Sequence, residues 1–372
     1  MRDDEAMREA LRLAASARRR TAPWPWVGCV LVRDGAVVGA GATGPFRAGH
    51  HAEGAALAEA GERARGATAY VTLEPCDHDG STPACTRLLL DAGVARAVVA
   101  LEDPDPMVAG RGLARLRDAG VEVVVGVGAG AAAEQLAPYL HHRRTGRPYV
   151  VAKIAASLDA RVAAADGSSR WITSEEARAD AHELRADSDA IVVGAGTAIA
   201  DRPALTVRGV ADVPRVPPTR VVLDAHGRVP ADGPLFDPAG GPTLVITTDA
   251  APTEAVDAWT AAGAKVETVP PAAGGRGVDL DAALTLLGGG REGFVQVLVE
   301  GGGTLLASVL AGGRAQRLVA YVAPLLLGER GVPGYRLDGP ARLADADRFR
   351  LVAARRLGPD VRLDYEIDAG GA

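Results

Sequence analysis

The 372-residue chain has few cysteines, few lysines and few aromatic residues. Three cysteines, Cys29, Cys76 and Cys85, are too few and odd in number for a disulfide framework. Reduced thiols are therefore expected, free for packing, catalysis or metal binding. The aromatic residues number 14, and the net charge is −6. Neither the stacking platforms nor the basic footprint of a nucleic-acid binder is present. No apolar run approaches the roughly 18 residues of a membrane span. The opening Met1-Arg2-Asp3-Asp4-Glu5 is too acidic for a secretory leader, so a cytoplasmic protein without membrane or nucleic-acid partners is expected. Only two lysines occur, Lys153 and Lys265, which makes a lysine at a motif position more informative.

What is present suits a globular protein of two domains: 48% hydrophobic and 24% charged residues. Helical periodicity covers 4–19, 51–64, 83–92, 109–118 and 130–144. Apolar runs at 27–32 and 36–41 flank Arg33-Asp34-Gly35, a hairpin signal. Further strands fall at 69–72, 95–101 and 121–126. Strands alternating with helices predict an α/β domain whose sheet is at least partly parallel. The polar stretch 141–148 marks a boundary, giving domains 1–145 and 146–372. The second has strand patterns at 149–154, 190–194, 219–223, 243–247, 295–299 and 317–322. Its helical patterns lie at 174–186, 253–263, 279–287 and 303–311, and 225–242 reads as a long loop.

The densest chemical signal is His51-Ala52-Glu53, then Pro75-Cys76 and Cys85. One imidazole and two thiolates suit zinc, and three protein ligands leave the fourth position open, as in a catalytic site. A structural site would want a fourth ligand, and none stands at a fixed spacing. Glu53, two residues after His51, is placed to move protons for a zinc-activated water. The pattern follows the His-x-Glu…Pro-Cys-x-x-Cys signature of zinc nucleobase deaminases with a longer gap between cysteines. His50 fits the signature less well than His51. His78 reads equally as a substrate contact or a turn residue, and Cys29 reads as core.

The run Thr72-Leu73-Glu74-Pro75-Cys76-Asp77-His78-Asp79-Gly80-Ser81-Thr82-Pro83-Ala84-Cys85 resembles the bifunctional riboflavin-biosynthesis deaminase/reductase family. So do Val27-Gly28-Cys29-Val30, Glu102-Asp103-Pro104-Asp105-Pro106 and Val108-Ala109-Gly110-Arg111-Gly112, and the likeness spans nearly the whole chain. The resemblance implies a cytidine-deaminase-like three-layer α/β/α zinc domain, then a dihydrofolate-reductase-like α/β domain using NADPH. It also implies a small pyrimidine nucleotide substrate and a homo-oligomer, a dimer or tetramer. Carried over residue by residue, Ala155, Trp171, Thr197, Asp201 and the turn Gly302, Gly303, Thr304 and Leu305 would line the NADPH site. Lys153, Ser169, Arg185, Leu205, Arg208 and Glu300 would line the reductase substrate site, with the arginines suited to phosphate. Without the resemblance, the glycines between the 295–299 strand and the following helix read equally as a diphosphate site or as a plain tight turn.

The chain also departs from the family. Trp24 stands for a usual asparagine that contacts substrate, and Ser81 for a usual basic residue. Gly54 and Ala55 follow Glu53 where Val and His or Asn are common. In the second half, Ala160 replaces a glycine, Arg202 an aspartate and Leu325 a lysine. The residues that break bonds are retained while the recognition shell is altered. Two readings stay open: the riboflavin enzyme, with Trp24 stacking on the same pyrimidine, or a diverged paralogue acting on another amino-heterocycle or nucleoside.

Overall fold

The computed structural model describes residues 1–46, 49–80, 82–337 and 339–367. Two compact units emerge: Met1–Arg147 with Gly289–Val295, and Pro148–Gly288 with Gln296–Ala372.

The first unit is built on β1 (Gly28–Arg33), β2 (Ala36–Ala42), β3 (Thr68–Val71), β4 (Arg96–Val99) and β5 (Glu122–Val125), in sheet order β2-β1-β3-β4-β5. β1 and β2 form the expected antiparallel hairpin, turning through positive φ at Asp34 and Gly35. β3, β4 and β5 run parallel. Strand alternation sorts the side chains into two cores. Cys29, Leu31, Ala69, Val71 and Ala97 join one cluster with Ala52, Ala56 and Ala60. Val30, Val32, Tyr70 and Val98 join another with Ala6, Met7 and Ala10. Helices therefore cover both faces, making three layers. The alanine and glycine excess lets them approach closely. A Cβ at Gly39 would fall on the Ala56 carbonyl oxygen, and one at Gly41 would lie 2.5 Å from the Ala55 Cβ, so the helix Ala52–Ala60 rides on a glycine track.

The helix expected over 130–144 is two helices, Ala129–Gln135 and Ala137–Thr145. Pro138 lies in the first turn of the second, where its missing N–H costs nothing. The pattern over 4–19 likewise breaks, into Asp3–Ala15 and Arg18–Thr21.

The second unit holds β6 (Tyr149–Ser157), β7 (Arg161–Ala163), β8 (Ala190–Gly194), β9 (Thr219–Leu223), β10 (Thr243–Thr247), β11 (Lys265–Thr268), β12 (Gln296–Val299), β13 (Arg317–Ala323), β14 (Val332–Pro333), β15 (Arg350–Leu357) and β16 (Asp360–Glu366). Nine of these form one sheet, ordered β11-β10-β9-β8-β12-β6-β13-β16-β15. It is parallel from β11 to β13 and antiparallel from β13 to β15. Adjacent β8 and β12 each end in a glycine turn that starts a helix, Ala195–Asp201 and Gly303–Ala311. Parallel sheets bind ligands beyond their carboxyl ends, and both glycine turns lie there.

Candidate functional sites

His51 precedes the helix Ala52–Ala60 in extended backbone, Cys76 lies in the loop after β3, and Cys85 opens the helix Cys85–Asp91. Their ligand atoms all lie within 4.8 Å of one another. His51 Nδ1 is 3.1 Å from Cys85 Sγ and 3.5 Å from Cys76 Sγ. Tetrahedral zinc, with bonds of about 2.0 Å to nitrogen and 2.3 Å to sulfur, sets such donors about 3.5 Å apart. The three residues thus fit the ion in chemistry and in spacing. Among the described residues, the group of candidate metal ligands is these three, which matches an open site rather than a closed one.

The electrostatics suit thiolate ligation. Hydrogen bonds from Cys85 and His51 outweigh burial and pull the Cys76 thiol down to about 4. Cys85 is pushed up by its contact with that thiolate and by burial. Hydrogen bonding to Cys76 raises His51. Glu53, in the first helical turn, is 3% exposed, and burial raises its carboxyl although His51 pulls the other way. A carboxyl tuned upward is a stronger base once ionised.

Around this centre, His78 is half-buried and its Nδ1 has no hydrogen-bond partner among the described residues. Trp24 lies just before β1, and the Gly28 N–H donates to Thr72 Oγ1 at 3.1 Å, so that segment enters at the strand end from which Cys76 departs. The Trp24 ring meets Phe46 at 5.8 Å and carries the Arg291 guanidinium at 5.4 Å. Arg291 is anchored by Asp105 at 2.8 Å, which also faces Arg143 at 3.3 Å. Sequence reasoning missed Arg291 because nothing local marks a residue that packs on a partner so distant in the chain. It also gave no role to Val108, which shares a buried cluster with Cys76 and Cys85. The position of Ser81 lies outside the described residues. Cys29 is fully buried in β1, where burial pushes its thiol up, as befits a core residue.

In the second unit, Lys153, Arg185 and Glu300 come together. Arg185 donates from Nε and Nη2 to Glu300 at 2.6 and 2.9 Å, and from Nη1 to the Thr206 carbonyl at 3.1 Å. Lys153 Nζ is 3.8 Å from Glu300. Burial lowers Lys153, with Glu300 opposing. Arg208 is exposed, and its backbone N–H donates to His182 Nδ1 at 3.2 Å. Leu205 is buried with φ +49°, and Ser169 is half-buried in a loop.

Thr197 Oγ1 accepts the Gly302 N–H at 2.9 Å, tying the two glycine turns together. A Cβ at Gly303 would lie 2.8 Å from the Pro333 carbonyl oxygen, so the turn admits only glycine without shifting. The exposed start of the helix Gly303–Ala311 offers first-turn N–H groups that have no acceptor within the helix. That donor set fits a cofactor diphosphate. Leu305 is half-buried and Thr304 exposed on that helix, and Ala155 is half-buried on β6. Trp171 is 69% exposed and stacks under Arg178 at 4.4 Å, and the Asp201 carbonyl accepts from Arg170 at 3.2 Å. The structure therefore gathers Lys153, Arg185 and Glu300 in one cluster and Thr197 with Gly302 in another.

Comparison with known proteins matches the RibD C-terminal domain model over residues 148–363 and the cytidine and deoxycytidylate deaminase zinc-binding region over residues 1–101. The chain is 42% identical over 375 residues to the riboflavin biosynthesis protein RibD of Escherichia coli, covering 98% of this chain and 99% of that one. Its structure resembles Acinetobacter baumannii RibD with TM-score 0.88 and 38% identity over 98% of both chains. It also resembles a diaminohydroxyphosphoribosylaminopyrimidine deaminase/5-amino-6-(5-phosphoribosylamino)uracil reductase from Thermotoga maritima, with TM-score 0.84 and 28% identity over 98% of both.

Proposed function

The chain belongs to the RibD family of riboflavin-biosynthesis proteins, and on that premise we propose how its residues divide the work. It is a bifunctional enzyme, a zinc-dependent deaminase fused to an NADPH-dependent reductase. The first reaction hydrolyses the amino group of 2,5-diamino-6-ribosylamino-4(3H)-pyrimidinone 5′-phosphate, and the second reduces the ribosyl group to a ribityl chain. A diverged paralogue with another substrate finds no support among the comparisons. No helix among the described residues is long and apolar enough to cross a membrane.

The observation that carries the first activity is the convergence of His51, Cys76 and Cys85 beside a buried Glu53. These three ligands would hold zinc, which when bound supplies Lewis acidity and activates water. Glu53 takes the proton that the attacking water gives up and passes it to the departing amino group. Water replaces the exocyclic nitrogen at the amidine carbon, and ammonia leaves neutral. His78, with its unpartnered buried Nδ1, and Trp24 contact the pyrimidine. Ser81 is assigned to the same pocket from the family pattern alone.

In the second unit, Gly302, Gly303, Thr304 and Leu305 with Thr197 hold the NADPH diphosphate, flanked by Ala155, Trp171 and Asp201. NADPH, when bound, supplies the reducing equivalent. Glu300, oriented by Arg185, accepts ribosyl hydroxyls, and Lys153 holds the reacting end. Ser169, Leu205 and Arg208 complete the substrate wall. The deaminase half corresponds to residues 1–145 and the reductase half to 146–372, in a dimer or tetramer that sedimentation velocity measures.

The test is ammonia release from this pyrimidine by the zinc-loaded protein, followed by NADPH addition. Release that vanishes in Glu53→Gln, then NADPH oxidation in the second step, is expected. A folded, zinc-containing protein that releases no ammonia from this substrate refutes the assignment.

A further inference from the structure

Glu74 takes no part in the chemistry above, yet it is 5% exposed and accepts four backbone hydrogen bonds. Oε2 accepts from the N–H groups of Asp103 at 3.1 Å and Gly110 at 2.9 Å. Oε1 accepts from Gly112 at 2.9 Å and Leu113 at 3.2 Å. Gly112 and Leu113 lie in the first turn of the helix Arg111–Asp118, whose dipole favours an anion there. The Glu74 N–H itself donates to the Leu101 carbonyl at 2.9 Å. One carboxylate thus ties the strand end leading to Cys76 to both ends of the loop 103–113.

That loop returns to the metal cluster. Val108, 4% exposed, forms one buried cluster with Cys76 and Cys85. Asp103 and Asp105 brace the loop from within: Asp103 accepts the Asp105 N–H at 2.9 Å, and Asp105 accepts the Met107 N–H at 3.0 Å. At the far end, Gly112 lies so close to Pro75 that a Cβ would fall on the Pro75 carbonyl oxygen. The clamp therefore has no slack at the proline preceding the cysteine.

We propose that Glu74 is a positioning residue for the deaminase: by clamping the loop 103–113 it holds Val108 in the buried cluster with the two cysteines, sets their spacing and keeps water from their side of the site. The proposal rests on the zinc reading of the His51, Cys76 and Cys85 cluster. Only a carboxylate presents two acceptor atoms to two pairs of donors. A glutamine turns an NH2 group toward one pair, leaving those amides unpaired and opposing donor to donor.

The experiment compares full-length wild type, Glu74→Gln and Val108→Ala by three readouts. The first is iodoacetamide alkylation of Cys76 in the metal-free folded protein, located by peptide mass spectrometry. The second is zinc release to a chromophoric chelator. The third is the thiolate-to-cobalt charge-transfer band of the cobalt form. Both variants are expected to alkylate faster, to release zinc about 10- to 100-fold faster and to shift the band, the usual scale for outer partners of a metal site. A folded Glu74→Gln protein with wild-type values in all three overturns the proposal, because Glu74 would then serve stability alone. Where Glu74→Gln does not fold, wild-type values in Val108→Ala overturn it, since the contact through which the clamp acts would carry nothing. A wild type that takes up no zinc while the alkylation difference persists refutes the zinc reading and leaves the clamp standing.

Discussion

Replacing Glu300 with glutamine removes the only anion in a cluster of two cations. Arg185 holds that carboxylate by two donors at 2.6 and 2.9 Å, and Lys153 Nζ lies 3.8 Å away. Burial alone would raise the Glu300 carboxyl, but Arg185 and Lys153 overcome it and hold the group at about 2 instead of 4.5. A carboxyl depressed by that much stabilises the folded state by about 3 kcal/mol when ionised in both states. This contribution is fully present above pH 4.5 and is lost as pH falls through about 2. Glutamine preserves the volume but leaves Arg185 and Lys153 facing each other, a loss of roughly 3–5 kcal/mol for a broken buried pair. Lys153, already lowered by burial, also loses the partner that holds its proton. The assay is urea unfolding at pH 7 and pH 3, followed by pulsed hydrogen exchange of peptides from β6 and β12. The Glu300→Gln variant is expected to be less stable by that amount at pH 7, with the gap narrowing by about 2 kcal/mol at pH 3, where the carboxyl is protonated in the unfolded wild-type chain while still ionised in the folded one. Equal stability at pH 7, or a gap unchanged between the two pH values, refutes the reasoning.

Cys85→Ser exchanges a thiolate ligand for a hydroxyl that binds zinc poorly, so bound zinc by mass spectrometry and ammonia release both fall sharply while NADPH oxidation with the deaminated substrate persists. Stoichiometric zinc in that variant would contradict the ligand assignment. Gly303→Ala puts a Cβ 2.8 Å from the Pro333 carbonyl oxygen and 3.1 Å from that of Gly334. The KM for NADPH is expected to rise about tenfold or more, the cost of roughly one lost amide contact, and an unchanged KM would remove the turn from the cofactor site. Ala160 sits at φ +57°, a conformation that glycine adopts without strain. Ala160→Gly is expected to raise the melting temperature, by relief of up to about 1 kcal/mol after the entropic cost of glycine, and a lowered one counts against strain there.

Much of the fold is legible in the sequence because burial there is periodic. Alternate residues of β1 and β3 enter opposite cores, and the strand–helix alternation of both units follows apolar patterns that water exclusion imposes. What escaped broke that rule. β15 is exposed along nearly its whole length, with Arg350, Arg355 and Arg356 among its residues, so no alternation betrays it. Its partner β16 alternates, but the residues it buries are the charged Asp360, Arg362 and Asp364. β11 is four residues with two of them exposed, and the helix Ala195–Asp201 is hidden in a run that reads as a glycine turn. The same divide runs through the site. His51, Glu53, Cys76 and Cys85 stand out because zinc chemistry restricts residue type and spacing. Glu74, Val108 and Arg291 act through tertiary contacts that any carboxylate, aliphatic residue or arginine could make, so only three-dimensional placement reveals them.

The first unit is assembled from two stretches of chain, Met1–Arg147 and Gly289–Val295. Its short second stretch brings Arg291, which reaches Asp105 and the face of Trp24. Modularity in this protein is therefore not a matter of cutting the polypeptide at a linker. A gene fragment stopping at Arg147 encodes the zinc ligands and Glu53 but omits the guanidinium that covers Trp24, leaving Asp105 with Arg143 alone of its two cations. Expressed separately, the two halves would divide the catalytic groups cleanly and the architecture unevenly. Fusion in one chain thus has a structural meaning as well as a metabolic one, because translation of the first unit is complete only after most of the second has been made.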